Sequence, residues 1–310
     1  MPLAIELNAP ARRDADRLVT ELESDGLTQL PEGLLSAEQL AGMQRAFAAR
    51  LRRQRWNDID GYEKTERLRH MVQDVLTLDQ GFVDLALHPL IKEAVRRYVG
   101  ASVALVEAKG WKTLPTRRDF HGWHGDSWYD QRQVDYIPRE IKLGFYLTDV
   151  RSGAFTYVKG THGQTAPRLY RAADVLDVPP ERIAQMLGAA GTAFLFDTSG
   201  VHRQSIPVLE ERQAIFLTYH DPHVPLQQED VEYYRYHPLL LNAAFLGDLS
   251  DVDQRLLGFG DKTNYVPAHE RHNRYRCFAG CMRAAFNARV FVGECWSRWW
   301  GRIKRLFGRR

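Results

Sequence analysis

Residues 191–220 read GTAFLFDTSGVHRQSIPVLEERQAIFLTYH and contain two short apolar runs, GTAFLFDT and RQAIFLTYH. Runs of this length, rich in aromatic and aliphatic residues and bounded by polar ones, predict β-strands. His202 follows the first run, and Arg212 opens the second. Two neighbouring strands joined by such a loop can direct both side chains into one barrel interior. A buried arginine requires an anion there, and its planar guanidinium matches a carboxylate.

The preceding ninety residues repeat this strand pattern. Short apolar or aromatic runs alternate with Gly, Pro, Asp and Ser in VALVEAKGW (103–111), EIKLGFYLTDV (140–150) and GAFTYVKG (153–160). Several short runs separated by turn residues are typical of an all-β sandwich or barrel. No internal repeat interrupts this region, so we expect it to form one β core.

The N-terminal third has a helical period instead. LLSAEQLAGMQRAFAARLRRQ (34–54) places Leu40, Met43, Phe47 and Leu51 three to four residues apart, and Ser36 with Gln39 forms a capping-box pattern. HPLIKEAVRRYVG (88–100) predicts a second helix that ends at Gly100. Helices followed by strands predict an α+β fold in which the helices pack against the β core.

The segment HGWHGDSW (121–128) places His124 and Asp126 two residues apart. In an extended segment these side chains share a face, so they could bind one ion side by side. Two histidines and one carboxylate with open positions are typical of non-haem iron sites, and His202 could supply the third ligand. The alternative is a polar loop in which His124 bonds to backbone.

Other histidines offer competing sites. His121 could pair with Asp119, and His220 and His223 lie together in HDPH, but neither pair accounts for Arg212. A zinc cluster could be read from His269, His272, Cys277 and Cys281. Its spacing, H-x2-H-x4-C-x3-C, fits no common zinc site closely, so we favour surface histidines and helix thiols.

The order and spacing of these motifs resemble the phytanoyl-CoA dioxygenase-like family of Fe(II)/2-oxoglutarate-dependent oxygenases. The resemblance covers residues 24–222, through SDGLTQLPEGLLSAEQL, WHGD, LTDVRSGAFTYVKGTH, GTAFLFDTSGVH and Arg212. It implies a double-stranded β-helix (a cupin-like jelly roll) flanked by helices, and it implies Fe(II), 2-oxoglutarate and dioxygen as cofactors.

The resemblance also implies residue roles. His124, Asp126 and His202 would be the catalytic iron ligands, and Arg212 would bind the distal carboxylate of 2-oxoglutarate. Lys112 and Thr148 occupy positions that often support the cosubstrate in the family. Gln204 departs from the small hydroxyl residue that some members carry two positions after the second histidine.

The implied reaction is hydroxylation of an aliphatic C–H bond, because related halogenases lack the carboxylate that Asp126 supplies here. The sequence looks most like enzymes that hydroxylate the 3-deoxy-octulosonate (Kdo) sugar of lipopolysaccharide precursors. An acyl-CoA, an amino-acid derivative or another small metabolite is the alternative substrate. A catalytically silent jelly-roll binding module is the alternative of another class, and the complete set of ligands disfavours it.

The C-terminal residues 281–310 differ in charge from the domain predicted for residues 1–280. The net charge is +3, yet residues 282–310 alone hold eight basic residues against Glu294. In WSRWWGRIKRLFGRR (296–310), aromatic and aliphatic residues recur at helical spacing opposite arginines. This pattern predicts a basic amphipathic helix for an anionic membrane surface. A helix docked on the core is the alternative, and nucleic acid is not an expected partner.

The compartment follows from cysteine usage and apolar runs. All three cysteines lie in the last fifth of the chain, and neither a secretory signal nor an apolar run of about 18 residues is present. We therefore expect a cytoplasmic protein, held peripherally on the inner face of the cytoplasmic membrane, that acts on a small-molecule or glycolipid substrate.

Overall fold

In the described part of the computed structural model, eleven β-strands form two antiparallel sheets. The structure describes residues 9–53, 68–73, 75–164, 169–170, 175, 177–226, 250–257, 292, 295–296 and 299–300. The six-stranded sheet has the order β1-β9-β5-β11-β3-β2, and the five-stranded sheet has the order β7-β4-β10-β6-β8. The strands are β1 Leu27–Gln29, β2 Arg69–Gln73, β3 Ala104–Thr113, β4 Trp123–His124, β5 Glu140–Tyr146, β6 Val150–Val158, β7 Leu169–Tyr170, β8 Ile183–Gly188, β9 Ala193–Asp197, β10 His202–Gln204 and β11 Arg212–His220.

The path of the chain between the sheets defines the fold. β3, β5, β9 and β11 belong to the larger sheet, whereas β4, β6, β8 and β10 belong to the smaller one. From β3 to β11 the chain crosses between the two facing sheets at six of eight connections, which is the arrangement of a jelly roll. The predicted double-stranded β-helix core with flanking helices is confirmed.

In the described part of the chain, five α-helices accompany the sheets: α1 Ala9–Asp25, α2 Ala37–Arg53, α3 Gln80–Ala86, α4 Pro89–Val99 and α5 Asp251–Leu256. The predicted capping box begins α2, because Gln39 N donates to Ser36 Oγ at 3.2 Å and Ser36 N donates to Gln39 Oε1 at 2.9 Å. Helix α4 ends at Gly100, whose φ of 130° favours glycine. Short 3-10 helices cover Val75–Thr77 and Pro180–Arg182.

The two faces of the six-stranded sheet have different chemistry. On β5, Ile141, Leu143 and Phe145 pack in the main hydrophobic core together with residues of α1 to α4. Side chains alternate along a strand, so Lys142 and Tyr146 face the second sheet instead. The helices therefore cover one face, and the other face is left to line an interior site.

Phe47 anchors α2 to the outer face of this sheet. Its side chain is fully buried, and its ring lies where a Cβ of Gly110 on β3 would be. We expect Phe47→Ala to lower the free energy of unfolding by about 3 to 5 kcal/mol, because it leaves a cavity between helix and sheet. Urea denaturation measures the change. Arg45→Ala, on the exposed side of the same helix, is the control and should stay within about 0.5 kcal/mol.

The predicted division at residue 280 and all four residues of the zinc reading lie outside the described residues. Within the predicted tail, the described residues have helical backbone, namely Val292, Cys295, Trp296, Trp299 and Trp300. The rest of the predicted amphipathic helix stays a prediction. None of the described helices combines the length and the apolar character needed to span a membrane.

Candidate active site

Two histidines and one aspartate meet between the sheets. His124 on β4 and His202 on β10 are direct cross-strand partners, and their ring centroids are 4.3 Å apart. The backbone N–H of Asp126 donates to the carbonyl of Thr198 at 2.8 Å, which holds the aspartate beside them. One ligand atom from each of the three lies within 4.8 Å of the others. Among the described residues, this is the one group of His, Cys, Asp or Glu side chains that could hold a metal ion.

Both imidazoles are oriented by backbone carbonyls. His124 Nδ1 lies 3.0 Å from the carbonyl oxygen of Gly122, and His202 Nδ1 lies 2.8 Å from that of Gly200. A carbonyl only accepts, so each Nδ1 carries the proton and each Nε2 presents its lone pair. These Nε2 atoms lie 3.5 Å and 3.9 Å from Asp126 Oδ1, respectively. The three donors thus converge on one point.

Electrostatics favour the metal-binding protonation states. Burial, and then the neighbouring His124, lower the pKa of His202 to about 3, so its imidazole is neutral at physiological pH. Burial alone would raise the pKa of Asp126, but Lys142 and the two histidines hold it below its ordinary value. Two imidazole nitrogens and one carboxylate suit a divalent iron ion.

Arg212 begins β11 and is only 4% exposed. Its Nε has no hydrogen-bond partner, and it forms no ion pair with any residue that the structure describes. Its Cζ lies 5.3 Å from the ring centroid of Tyr146, and burial lowers its pKa. A buried guanidinium without a carboxylate partner among the described residues is costly unless an anion binds it, so Arg212 is suited to a ligand carboxylate.

An aromatic wall connects Arg212 to the histidines. Tyr146, beside Arg212, lies 5.6 Å from Phe194, and Phe194 stacks on Phe155 at 5.0 Å. Phe155 in turn lies 5.6 Å from the ring of His202. The wall spans both sheets, because Tyr146 and Phe194 belong to the larger sheet and Phe155 belongs to the smaller one. Arg212 and the three donors therefore border one interior space.

Two further polar side chains face this space: Thr113, which the sequence did not single out, and Gln204, which the family resemblance had already singled out. Thr113 is directly opposite Arg212 in the β11–β3 register, and its hydroxyl is fully buried without a hydrogen-bond partner among the described residues. Gln204 lies on the same side of β10 as His202, and neither its amide oxygen nor its nitrogen has such a partner. Buried polar atoms without partners mark places where a ligand can bind.

Lys112 and Thr148 have other surroundings. Lys112 precedes Thr113 and so lies on the opposite sheet face from Arg212, where its Nζ pairs with Glu211 at 2.7 Å. The structure does not bring Lys112 to the interior. Thr148 Oγ1 accepts from the backbone N–H of Gln213 at 3.0 Å. It thus positions the strand that carries Arg212.

The competing histidines lie outside the group of three. His121 contacts Arg69, and its ring lies 5.6 Å from that of His124. His220 is fully buried, with its Nδ1 2.7 Å from Glu140 and its ring stacked on Trp128 at 3.8 Å. The exposed His223 contacts Asp221 of its own turn.

A jelly roll that gathers two histidines, one aspartate and a buried arginine defines the class of non-haem iron, 2-oxoglutarate-dependent oxygenases. The model of the phytanoyl-CoA dioxygenase (PhyH) family matches residues 22–204. The chain belongs to this family and is an enzyme of that class. No curated protein matches it.

Solved structures share the fold at low sequence identity. The epimerase SnoN in complex with Fe3+, alpha ketoglutarate and nogalamycin RO is 18% identical, with a TM-score of 0.52 over 74% of this chain and 91% of that one. The carbocyclase SnoK from nogalamycin biosynthesis is 18% identical, with a TM-score of 0.53 over 74% and 93%. EctD from S. alaskensis with 2-oxoglutarate and 5-hydroxyectoine is 18% identical, with a TM-score of 0.56 over 72% and 81%.

Proposed function

We propose that this chain is a hydroxylase in which His124, Asp126 and His202 bind Fe(II), and Arg212 binds 2-oxoglutarate. The observation that carries the proposal is a buried arginine, without a carboxylate partner among the described residues, that borders the same interior as a converged His, Asp and His set. When bound, iron and 2-oxoglutarate supply the oxidising chemistry, and the protein orients them and excludes water. The two imidazoles and the carboxylate leave further coordination positions open.

The polar groups around Arg212 fit the distal carboxylate of 2-oxoglutarate. The guanidinium can donate to both carboxylate oxygens, and the Thr113 hydroxyl opposite it can donate a further hydrogen bond. Gln204 lies nearer to the metal donors, two residues after His202. Its amide could therefore bind either the cosubstrate or the substrate, where other members carry a hydroxyl. The aromatic wall lines the stretch of this space between the two polar ends.

Hydroxylation is the outcome that we propose for the substrate. The names of the structural neighbours include an epimerase and a carbocyclase, so one fold supports several outcomes. Asp126 occupies the position where related halogenases lack a carboxylate, which favours hydroxylation over halide transfer.

The direct test uses purified, metal-free protein. Succinate should form from 2-oxoglutarate only when Fe(II) and dioxygen are both supplied, even without a substrate, because such enzymes turn over slowly when uncoupled. A metal titration distinguishes this enzyme from the alternative, a catalytically silent binding module. A silent binding module would fold normally, bind no divalent metal at this site and form no succinate.

As the substrate we propose the Kdo sugar of a lipopolysaccharide precursor, presented at an anionic membrane. Support comes from the described part of the tail, where Trp296, Trp299 and Trp300 are 64%, 52% and 49% exposed. Exposed tryptophans at these helical positions, within a sequence rich in arginine, suit the interface of a membrane. Mass spectrometry of inner-membrane glycolipids with and without the gene tests the substrate, through the mass of one added oxygen atom. An unchanged glycolipid mass would favour the small-metabolite alternative.

Deleting residues 294–310 is expected to release the protein from anionic vesicles. Each basic residue near an anionic leaflet contributes about 1 kcal/mol, and the tryptophans add apolar burial, so the full chain should bind and salt should weaken binding. Vesicle flotation measures this, with neutral vesicles as the control. Uncoupled succinate formation should persist in the truncated protein. A melting temperature many degrees lower after truncation would instead indicate a helix docked on the core.

A further inference from the structure

The two carboxylate oxygens of Asp126 have different partners. Oδ1 faces His124 Nε2 and His202 Nε2, at 3.5 Å and 3.9 Å. Oδ2 contacts the ammonium nitrogen of Lys142, which lies on the inner face of β5. One oxygen is thus directed to the metal position, and the other is held away from it by an ion pair.

Lys142 is itself held by its neighbours on the sheet. Its register partner on β11 is Thr218, whose hydroxyl donates to Glu107 at 3.0 Å. The negative charges of Glu107 and Glu140 act on the ammonium together with that of Asp126. The lysine side chain is only 15% exposed. A largely buried cation that pairs with Asp126 and is attracted by two further carboxylates has little freedom to leave Asp126.

We propose that Lys142 is a positioning residue that makes Asp126 bind the metal through Oδ1 alone. This inference rests on the proposed metal site. A carboxylate with both oxygens free can bind a metal through both, and the second oxygen takes up one more coordination position. The reaction class needs open positions beside the three protein ligands. By holding Oδ2 away from the metal, Lys142 therefore keeps one of those coordination positions open.

The test replaces the charge and keeps the length of the side chain. In Lys142→Met, uncoupled succinate formation should fall by about tenfold or more, as for other groups that orient metal ligands. The 2-oxoglutarate concentration that gives half the maximal rate should stay within about twofold, because Arg212 still binds the distal carboxylate. The visible absorption spectrum of the Co(II)-substituted protein should change, since it reports the coordination of the metal. Lys142→Arg keeps the cation and should recover part of both the rate and the spectrum.

Lys109 provides a matched control. It is also a half-buried lysine on the inner face of this sheet, 17% exposed, but its Nζ pairs with Glu107 at 2.6 Å rather than with Asp126. Lys109→Met should leave the Co(II) spectrum as in the wild type. The inference is overturned if Lys142→Met keeps the wild-type spectrum and rate, or if both methionine variants change the spectrum alike. If Lys142→Met does not fold, the Co(II) spectrum of Lys142→Gln tests the inference by the same criterion. If the wild-type protein binds no Co(II), the result would instead contradict the proposed function itself.

Discussion

Replacing His202 by alanine is expected to reduce iron-dependent succinate formation by at least about a hundredfold, because a lost ligand costs more than a lost orienting group. His202 is the buried member of the three donors, and its carbonyl partner fixes the direction of Nε2. His124→Ala and Asp126→Ala are expected to act in the same way. Succinate released from 2-oxoglutarate, with Fe(II) added to metal-free protein, measures the effect.

The matched control for these variants is His223→Ala. His223 is an exposed histidine that contacts only its own turn among the residues described, so its loss should leave the rate unchanged. Circular dichroism should show folded protein for all four variants. A normal rate in any folded ligand variant would exclude that residue from the metal site.

Arg212→Ala is expected to raise the 2-oxoglutarate requirement by at least about thirtyfold. Removing one partner of a buried charge pair costs roughly 2 to 5 kcal/mol, and about 1.4 kcal/mol corresponds to a factor of ten. The apparent affinity can be measured from the 2-oxoglutarate dependence of the rate, and independently by calorimetry with Mn(II) in place of iron. The Fe(II) requirement itself should change little, since Arg212 is not a metal donor in the proposed site.

Two further variants test whether the effect of Arg212 depends on its guanidinium group and on its side of the sheet. Arg212→Lys should be partly impaired, because an ammonium does not reproduce the two parallel hydrogen bonds of a guanidinium. Lys112→Ala removes a cation from the opposite face of the same sheet and should leave the requirement unchanged. If Arg212→Ala binds 2-oxoglutarate normally, the carboxylate partner must be sought among the other buried polar groups.

Much of the β core could be predicted because its strands carry strong local patterns. Strands β3, β5, β6, β9 and β11 overlap the runs from which they were predicted. These runs are residues 103–111, 140–150, 153–160, 191–198 and 211–220. Helices α2 and α4 could be predicted as well, α2 from its apolar spacing and capping box, and α4 from its sequence and its final glycine. The resemblance to the family implied the double-stranded β-helix architecture, which no single run contains.

The short strands could not be predicted from periodicity. β4 has two residues and β10 has three, so neither shows an alternation, yet their pairing is what places His124 beside His202. Helix α1 was also not predicted as a separate element, because only Ala15, Leu18 and Leu22 of its seventeen residues are buried.

The side of a strand on which a residue lies was the harder question at the site. Lys112 and Thr113 are neighbours in sequence, but only Thr113 faces Arg212, because adjacent strand residues point to opposite faces. The sequence did mark Lys142 as unusual, because it is a charged residue within an apolar run. As a strand residue it shares a face with Glu140 and Tyr146, which lie two and four positions away. Its partner Asp126 lies in a segment without regular pairing, so the contact itself required the structure.

The direct pairing of His124 with His202 also bears on how the smaller sheet holds together. An ion bound to both histidines would join two strands that share a single paired position, across a long stretch of intervening chain. Such a link resembles a disulfide in closing a large loop and restricting the unfolded ensemble. Occupancy of the metal site would then act as a cross-link, so the resistance of the smaller sheet to opening would rise with the supply of iron.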